Sequence, residues 1–216
     1  MDKKEIFMEI EKHLLEDERP SLFLKRFLEN NKIDINPYNM ITDLKEIPQE
    51  PKHHPEGSVF NHIMMVVDEA AKKRKLSKNM RVLMWSSLLH DIGKTPTTKK
   101  RKGRWTSYDH DKVGEKMVME FFQELGFENK DLALKISKMA RWHMQALFVI
   151  KSLPFADIET MIEEVEVEEL ALLTVSDRLG RGKLTESQRK QVIDDINKFL
   201  IKVSEVSGEK YSKINY

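Results

Sequence analysis

The sequence predicts an almost entirely α-helical fold, and three observations predict it. Apolar residues recur at the three-and-four spacing of a helix face through most of the 216 residues. Glycine supplies only 8 positions, well under ordinary usage, and the seven prolines stand mostly near the ends of periodic stretches. Strand-like composition is confined to TTKKRKGRWTSY, residues 97–108, where β-branched and aromatic residues flank a Lys-Gly turn and predict one small β-hairpin.

The elements follow in order. Ile6, Ile10, His13 and Leu14 form one helical stripe before Pro20, and Leu22, Leu24, Phe27 and Leu28 a second after it. Residues 31–57 hold four prolines and a glycine with little periodicity, which predicts a long ordered or tethered connection. Ser58 is placed to cap a helix whose buried face carries Val59, His62, Ile63, Val66 and Val67. The next helix is expected from about Lys78 to Asp91, with His90 and Asp91 in its last turn and Gly93 as its stop. After the hairpin, Asp109 is expected to cap a helix reaching Gly126, and another spans roughly Asn129 to His143. Pro154 breaks the chain before a helix over 157–165, and two more run over 168–181 and 186–207. No internal repeat and no composition shift divides the chain. A single domain is expected over 1–216, with 1–30 a helical appendage, 31–57 a connection, 58–182 the core, and 183–216 a C-terminal helix and tail.

Charge narrows the partners. Lys and Arg number 37 against 36 Asp and Glu, so no global field steers the chain to nucleic acid or anionic lipid. The absence of cysteine excludes disulfides, cysteine zinc sites and thiol catalysis. The N-terminus lacks the apolar core of a secretion signal, and no run approaches the ~20 apolar residues of a membrane span, so a cytoplasmic location without membrane contact is expected.

Several polar residues stand where burial makes them costly. A carboxylate at Asp91, at the negative end of an apolar helix, needs a cation. A divalent metal held by His90 and Asp91 would supply one, whereas a capped, partly solvated helix end is the plainer explanation. His62 lies on an apolar stripe, where a hydrogen-bonded core histidine is the ordinary case. Asp177, in LALLTVSDRLGR, shares a face with Leu173, Thr174 and Gly180, so its charge is carried inward unless Arg181 at i+4 neutralises it. Together the two histidines and two aspartates form a nitrogen and oxygen donor set suited to Zn, Mn, Fe, Co or Ni.

His62, the His90-Asp91 pair in LLHDIGK and Asp177 resemble the H…HD…D signature of the HD-domain metal-dependent phosphohydrolases. PKHHPEGSVFNHIMMVVDEAA, SSLLHDIGKTPTT, GRWTSYDHDKVGEKM and SDRLGRG extend the likeness, over roughly residues 31–182, to the C-terminal HD domain of bacterial CCA-adding tRNA nucleotidyltransferases. Residues 1–30 show neither the length nor the glycine-rich, paired-aspartate motif of the polymerase head in those enzymes, so an HD unit standing alone is expected. The resemblance implies an all-α HD-domain helical bundle binding one or two divalent ions (Mn, Fe, Co, Ni, Zn or Mg). It also implies that His110 and His143 fall where two-metal members place extra ligands, with Asp91 bridging; otherwise they are histidines at a helix start and a helix end. His54 matches the histidine of the HPEG block and could bind phosphate or donate a proton to the leaving group, or be a loop residue.

Around these positions, Lys94 could bind a metal-held phosphate and act with Asp91 in catalysis, or compensate a helix dipole. Arg178 and Arg181 offer forked donors for phosphate, and equally for helix carboxylates. Lys99, Lys100, Arg101, Lys102 and Arg104, beside Trp105, could dock a polyanion or form a solvated hairpin. Hydrolysis of a phosphomonoester or phosphodiester follows, on a small phosphorylated substrate, a nucleotide or an RNA end. The alternatives are a non-catalytic nucleotide- or RNA-binding HD module and a di-iron HD-type oxygenase.

Overall fold

A computed structural model describes residues 1–30 and 35–215 of the chain. Residues 31–34, the start of the expected connection, and Tyr216 lie outside the described residues. The architecture is an all-α bundle with one two-stranded antiparallel sheet among the described residues.

α1 (Lys3–Glu16) opens with a reciprocal capping box between Asp2 and Glu5 and buries Ile6, Phe7, Ile10 and Leu14. Pro20 begins α2 (Pro20–Asn30), where its missing N–H costs no helical bond. Leu24, Phe27 and Leu28 are buried, whereas Leu22, expected on the same stripe, is exposed. Phe7 stacks on Trp85 with ring centroids 4.5 Å apart, and Glu11 accepts from Trp85 Nε1 at 2.9 Å and pairs with Arg81, so α1 is fixed to the central helices. The connection folds into α3 (Asn39–Thr42), a 3₁₀ turn over Asp43–Glu46 and a bridge between Pro48 and Ser58.

Ser58 Oγ accepts from the Asn61 amide and caps α4 (Val59–Ala71). α5 (Met80–Leu89), capped by Asn79, stops two residues short of the expected end. His90 is its C-cap, and Asp91 falls in the turn beyond, because the Ile92 amide bonds to Leu89 O and the Lys94 amide to Asp91 O. Gly93 is therefore not the stop of that helix. It precedes α6 (Lys94–Thr97) with an ordinary φ of −63°, and its lack of a side chain serves a different end: a Cβ there would meet His110 O at 2.1 Å and Gly114 N at 2.5 Å.

The hairpin pairs β1 (Thr98–Arg101) with β2 (Arg104–Ser107), Thr98 opposite Ser107 and Lys100 opposite Trp105. Lys102 and Gly103 turn it with φ of 48° and 79°, the two positive values that a type I′ turn requires. Asp109 does not cap α7 (His110–Glu124) with its side chain, as expected from sequence; its backbone is left-handed, and its carboxylate pairs with Lys112 at 2.9 Å. Asn129 caps α8 (Lys130–Trp142) and Asp157 caps α10 (Ile158–Glu164) through Leu132 and Thr160 amides. Between them lies α9 (Gln145–Ile150), six residues too few to show a helical period in sequence. α11 (Val167–Leu179) ends before Arg181, and α12 (Glu186–Ser207) closes the bundle.

α11 is buried around almost its whole circumference, against α4, α5 and α12. Gly180 sits so near α4 that an added Cβ would lie 2.8 to 3.0 Å from Val66 atoms. Two glycines thus allow close backbone approaches beside the polar centre. One apolar cluster runs from Ile6 to Ile214. No helix among the described residues is long and apolar enough to cross a membrane.

Candidate metal centre

Asp91 lies at the middle of a buried polar cluster built from α4, the α5 end, the α7 start and the α8 end. His62 Nε2 stands 3.7 Å and His90 Nε2 3.4 Å from Asp91 Oδ2, while His110 Nε2 and His143 Nε2 stand 3.4 and 3.7 Å from Oδ1. Around Asp91 the donor atoms fall into two sets, His62, His90 and Asp91, and Asp91, His110 and His143, each with its atoms within 4.8 Å of one another; a further such group, His54, Glu56 and His62, adjoins the first through His62. Asp91 belongs to both. Asp177, from α11, joins through His62: its Oδ1 lies 2.9 Å from His62 Nε2, and its Oδ2 accepts from Arg181 at 2.8 Å.

Three of the rings are oriented by their own turns. His90, His110 and His143 each place Nδ1 on the carbonyl three residues back, Ser87 O at 3.1 Å, Ser107 O at 2.7 Å and Ala140 O at 2.7 Å. A carbonyl only accepts, so Nδ1 carries a proton, and Nε2 is the nitrogen that each ring turns toward Asp91.

Residues 59–197 match the HD domain family. The chain belongs to that family. HD domains form a superfamily of divalent-metal-binding hydrolases, mainly phosphohydrolases. This HD domain is similar to part of the Multifunctional CCA protein of Actinobacillus pleuropneumoniae serotype 5b, at 31% identity over 94 residues, 43% of this chain and 22% of the relative. It is 28% identical over 145 residues to the protein of the same description in Halorhodospira halophila, covering 63% and 32%. With that of Haemophilus influenzae it shares 22% over 216 residues, covering 95% and 50%. The chain therefore spans half or less of the length of these relatives.

The residues of this HD domain fit a divalent ion. His90 Nε2 is buried and has no hydrogen-bond partner. His110 Nε2 and His143 Nε2 approach to 3.1 Å, although both are lone-pair nitrogens when Nδ1 donates, a repulsion that a shared cation removes. Burial, followed by the nearby His110 and His90, pushes the His143 pKa down to about 3, and burial also lowers that of His110, so both are neutral donors at pH 7. Burial opposes the charge of Asp91, but its charged neighbours, the Lys94 ammonium foremost, outweigh it and hold the carboxyl well below its usual range. Arg181 and His62 do the same for Asp177 against the same opposition. Burial opposes a charge on His62, but the ring has an acceptor on each nitrogen, and Asp177 and Glu56 raise its pKa.

Above the cluster opens a cavity of about 340 Å³ bordered by Lys94, His54, Trp105 and Arg181. Lys94 Nζ bonds to Asp91 Oδ2 at 2.7 Å and to Gln49 Oε1 at 2.8 Å. His54 donates Nδ1–H to Glu56 at 2.8 Å, and burial lowers its pKa to about 4, so it is neutral at pH 7. Arg178 is directed elsewhere: it pairs with Asp195 of α12 at 2.8 Å and does not border the cavity. Sequence reasoning passed over Lys151, which borders the cavity from the end of α9, and Gln49 and Glu56 of the connection. Glu56 could have been noticed, since it follows His54 by two residues and precedes the Ser58 cap.

Glu56 takes His54 and His62 on one oxygen, at 2.8 and 3.1 Å. Burial works against its ionisation, yet the two histidine bonds draw its pKa to about 2. It is a carboxylate behind a candidate ligand histidine. Glu56→Gln, which removes the charge while keeping the shape, is expected to weaken metal binding by about 10- to 100-fold. Metal titration followed by elemental analysis checks this; undiminished affinity would leave Glu56 with a purely structural part.

Proposed function

We propose that the chain is a metal-dependent phosphohydrolase whose ion or ions are held by His62, His90, Asp91 and Asp177, with His110 and His143 completing a second position that shares Asp91. The observation that carries this reading is the pair of donor sets meeting at one buried carboxylate beneath a cation-lined cavity. When bound, a divalent pair supplies a hydroxide at neutral pH and neutralises charge on phosphoryl oxygens. Lys94, held between Asp91 and Gln49, offers an ammonium to a phosphoryl oxygen, and Lys151 and Arg181 present further positive charge from the cavity wall. Neutral His54 keeps Nδ1–H on Glu56, which leaves its Nε2 to accept a proton or hydrogen bond from the substrate side.

A phosphomonoester or diester of a nucleotide is the substrate class we favour. An RNA end is included because of the similarity to CCA-adding tRNA nucleotidyltransferases and because Trp105 of the basic hairpin borders the cavity, with Lys100 as its cross-strand partner.

The test is phosphate release from p-nitrophenyl phosphate and nucleoside phosphates after loading with Mn, Fe, Co, Ni, Zn or Mg in turn. Release with at least one metal, lost on chelation, is expected. No release with any of them, with metal and nucleotide still bound, would replace the reading by the binding module, and oxygen consumption by an iron-loaded chain would replace it by the oxygenase. Lys94→Met is expected to lower kcat/KM by about 100-fold, the scale of one electrostatic donor, with metal content unchanged. Loss of metal together with rate would make Lys94 a support of Asp91 instead.

A further inference from the structure

We propose that a second cavity beside the metal centre is a subsite for the base of a nucleotide whose phosphate lies at that centre. This rests on the phosphohydrolase reading and adds what that reading lacks, a reason for one class of ester to be preferred. The cavity holds about 790 Å³, within the range of small-molecule sites. Ser107, His110 and Met144 border it and the metal cavity alike, so the two lie side by side across a shared wall.

Aromatic rings stand in its walls among polar and charged side chains. Tyr108 enters from the end of the hairpin and is 65% exposed; Phe155 enters from the turn after α9 and is also 65% exposed. Each leaves most of its ring in water at the mouth of a polar site. Each is nevertheless fixed. The Arg101 guanidinium lies over the Tyr108 ring at 4.8 Å, and Phe148 packs against Phe155 with centroids 5.6 Å apart. Buried Gln145 grips the turn from inside, donating Nε2–H to Phe155 O at 3.2 Å and accepting from the Asp157 amide at 2.9 Å. Exposed, pre-positioned ring faces suit stacking with a planar heterocycle, and the paired Asp111 and Arg141 at the same cavity offer hydrogen-bonding groups to its edge.

The experiment compares adenosine 5′-monophosphate with ribose 5-phosphate, which differ only by the base, in calorimetric titrations of the full chain. The nucleotide is expected to bind roughly 10- to 100-fold more tightly, the range of one stacked base. The double variant Tyr108→Ala, Phe155→Ala is expected to lose most of that preference while its Kd for ribose 5-phosphate stays put. Both rings are exposed, so the variant should melt with the parent. Equal affinity of the parent for the two ligands, or a preference that survives in the variant, overturns the proposal. A preference that is present and lost as described, in a chain that hydrolyses no phosphate ester with any metal, upholds the subsite and refutes the hydrolase reading. A trinucleotide with a terminal phosphate locates the source of the base: displacement of the mononucleotide assigns the subsite to an RNA end, and failure to displace it assigns the subsite to free nucleotides.

Discussion

Asp91→Ala is expected to empty the metal centre and abolish turnover of a generic phosphate ester. Asp91 is the group on which four histidine Nε2 atoms and Lys94 converge, at 2.7 to 3.7 Å, and it belongs to both donor sets. Loss of an outer carboxylate costs about 10- to 100-fold in metal affinity, so loss of this central one should exceed about 100-fold. The substitution does not threaten the helices, because Asp91 lies in a turn after α5 and contributes its carboxylate to no cap. Helical circular dichroism should match that of the parent, while elemental analysis and phosphate release should not. A variant that keeps both its metal and its turnover would remove Asp91 from the site.

Gly93→Ala is expected to be the most damaging single methyl group in the chain. The added Cβ would meet His110 O at 2.1 Å, Gly114 N at 2.5 Å and Gly114 Cα at 2.9 Å, all backbone atoms that cannot rotate away. Relief requires α7 to move bodily, and His110 is the first residue of α7. The cost should be ~3 kcal/mol, the upper end for an over-packed interior, which for a chain of this length lowers Tm by about 6 to 12 °C. Gly114, across the same contact, provides the contrast: its Cβ would find nothing nearer than 3.6 Å. Gly114→Ala, within a helix, should be neutral or stabilising by up to ~1 kcal/mol. Thermal melts of the two variants decide the matter, and similar losses in both would show that the contact yields more easily than its geometry implies.

How far the sequence could be read follows from how local each signal is. Caps are local, so Ser58, Asn129 and Asp157 mark the starts of α4, α8 and α10 in sequence and in structure alike. The hairpin could be read because Lys102 and Gly103 sit where two positive φ values are needed. α3 and α9 could not, because four and six residues show no period and their helicity comes from what they pack against. Asp109 has the residue type of a cap but the wrong backbone for one. Gly93 reads as a helix stop, and only the arrival of α7 from twenty residues onward reveals a contact.

The centre divides along the same line. His62 and Asp177 drew notice because a charged or polar group on an apolar face is costly wherever the chain goes next, and both are buried. Arg178 and Arg181 are alike in sequence, and only the packing of α12 distinguishes them by bringing Asp195 to Arg178. Glu56, Gln49 and Lys151 belong to stretches without a period, so nothing short of the folded chain says which way they turn.

The three histidines that take their orientation from a carbonyl three residues back imply an order of events. A ring fixed by its own turn is set as soon as that turn exists, whether or not an ion has arrived. The apolar cluster from Ile6 to Ile214 contains none of the proposed ligands. Small zinc modules wait for metal in order to fold. If the proposed centre binds its ion in this way, shape is expected to come first and the ion second, so that a newly synthesised chain gains competence by capturing metal at a time set by the supply of the ion and not by the speed of folding.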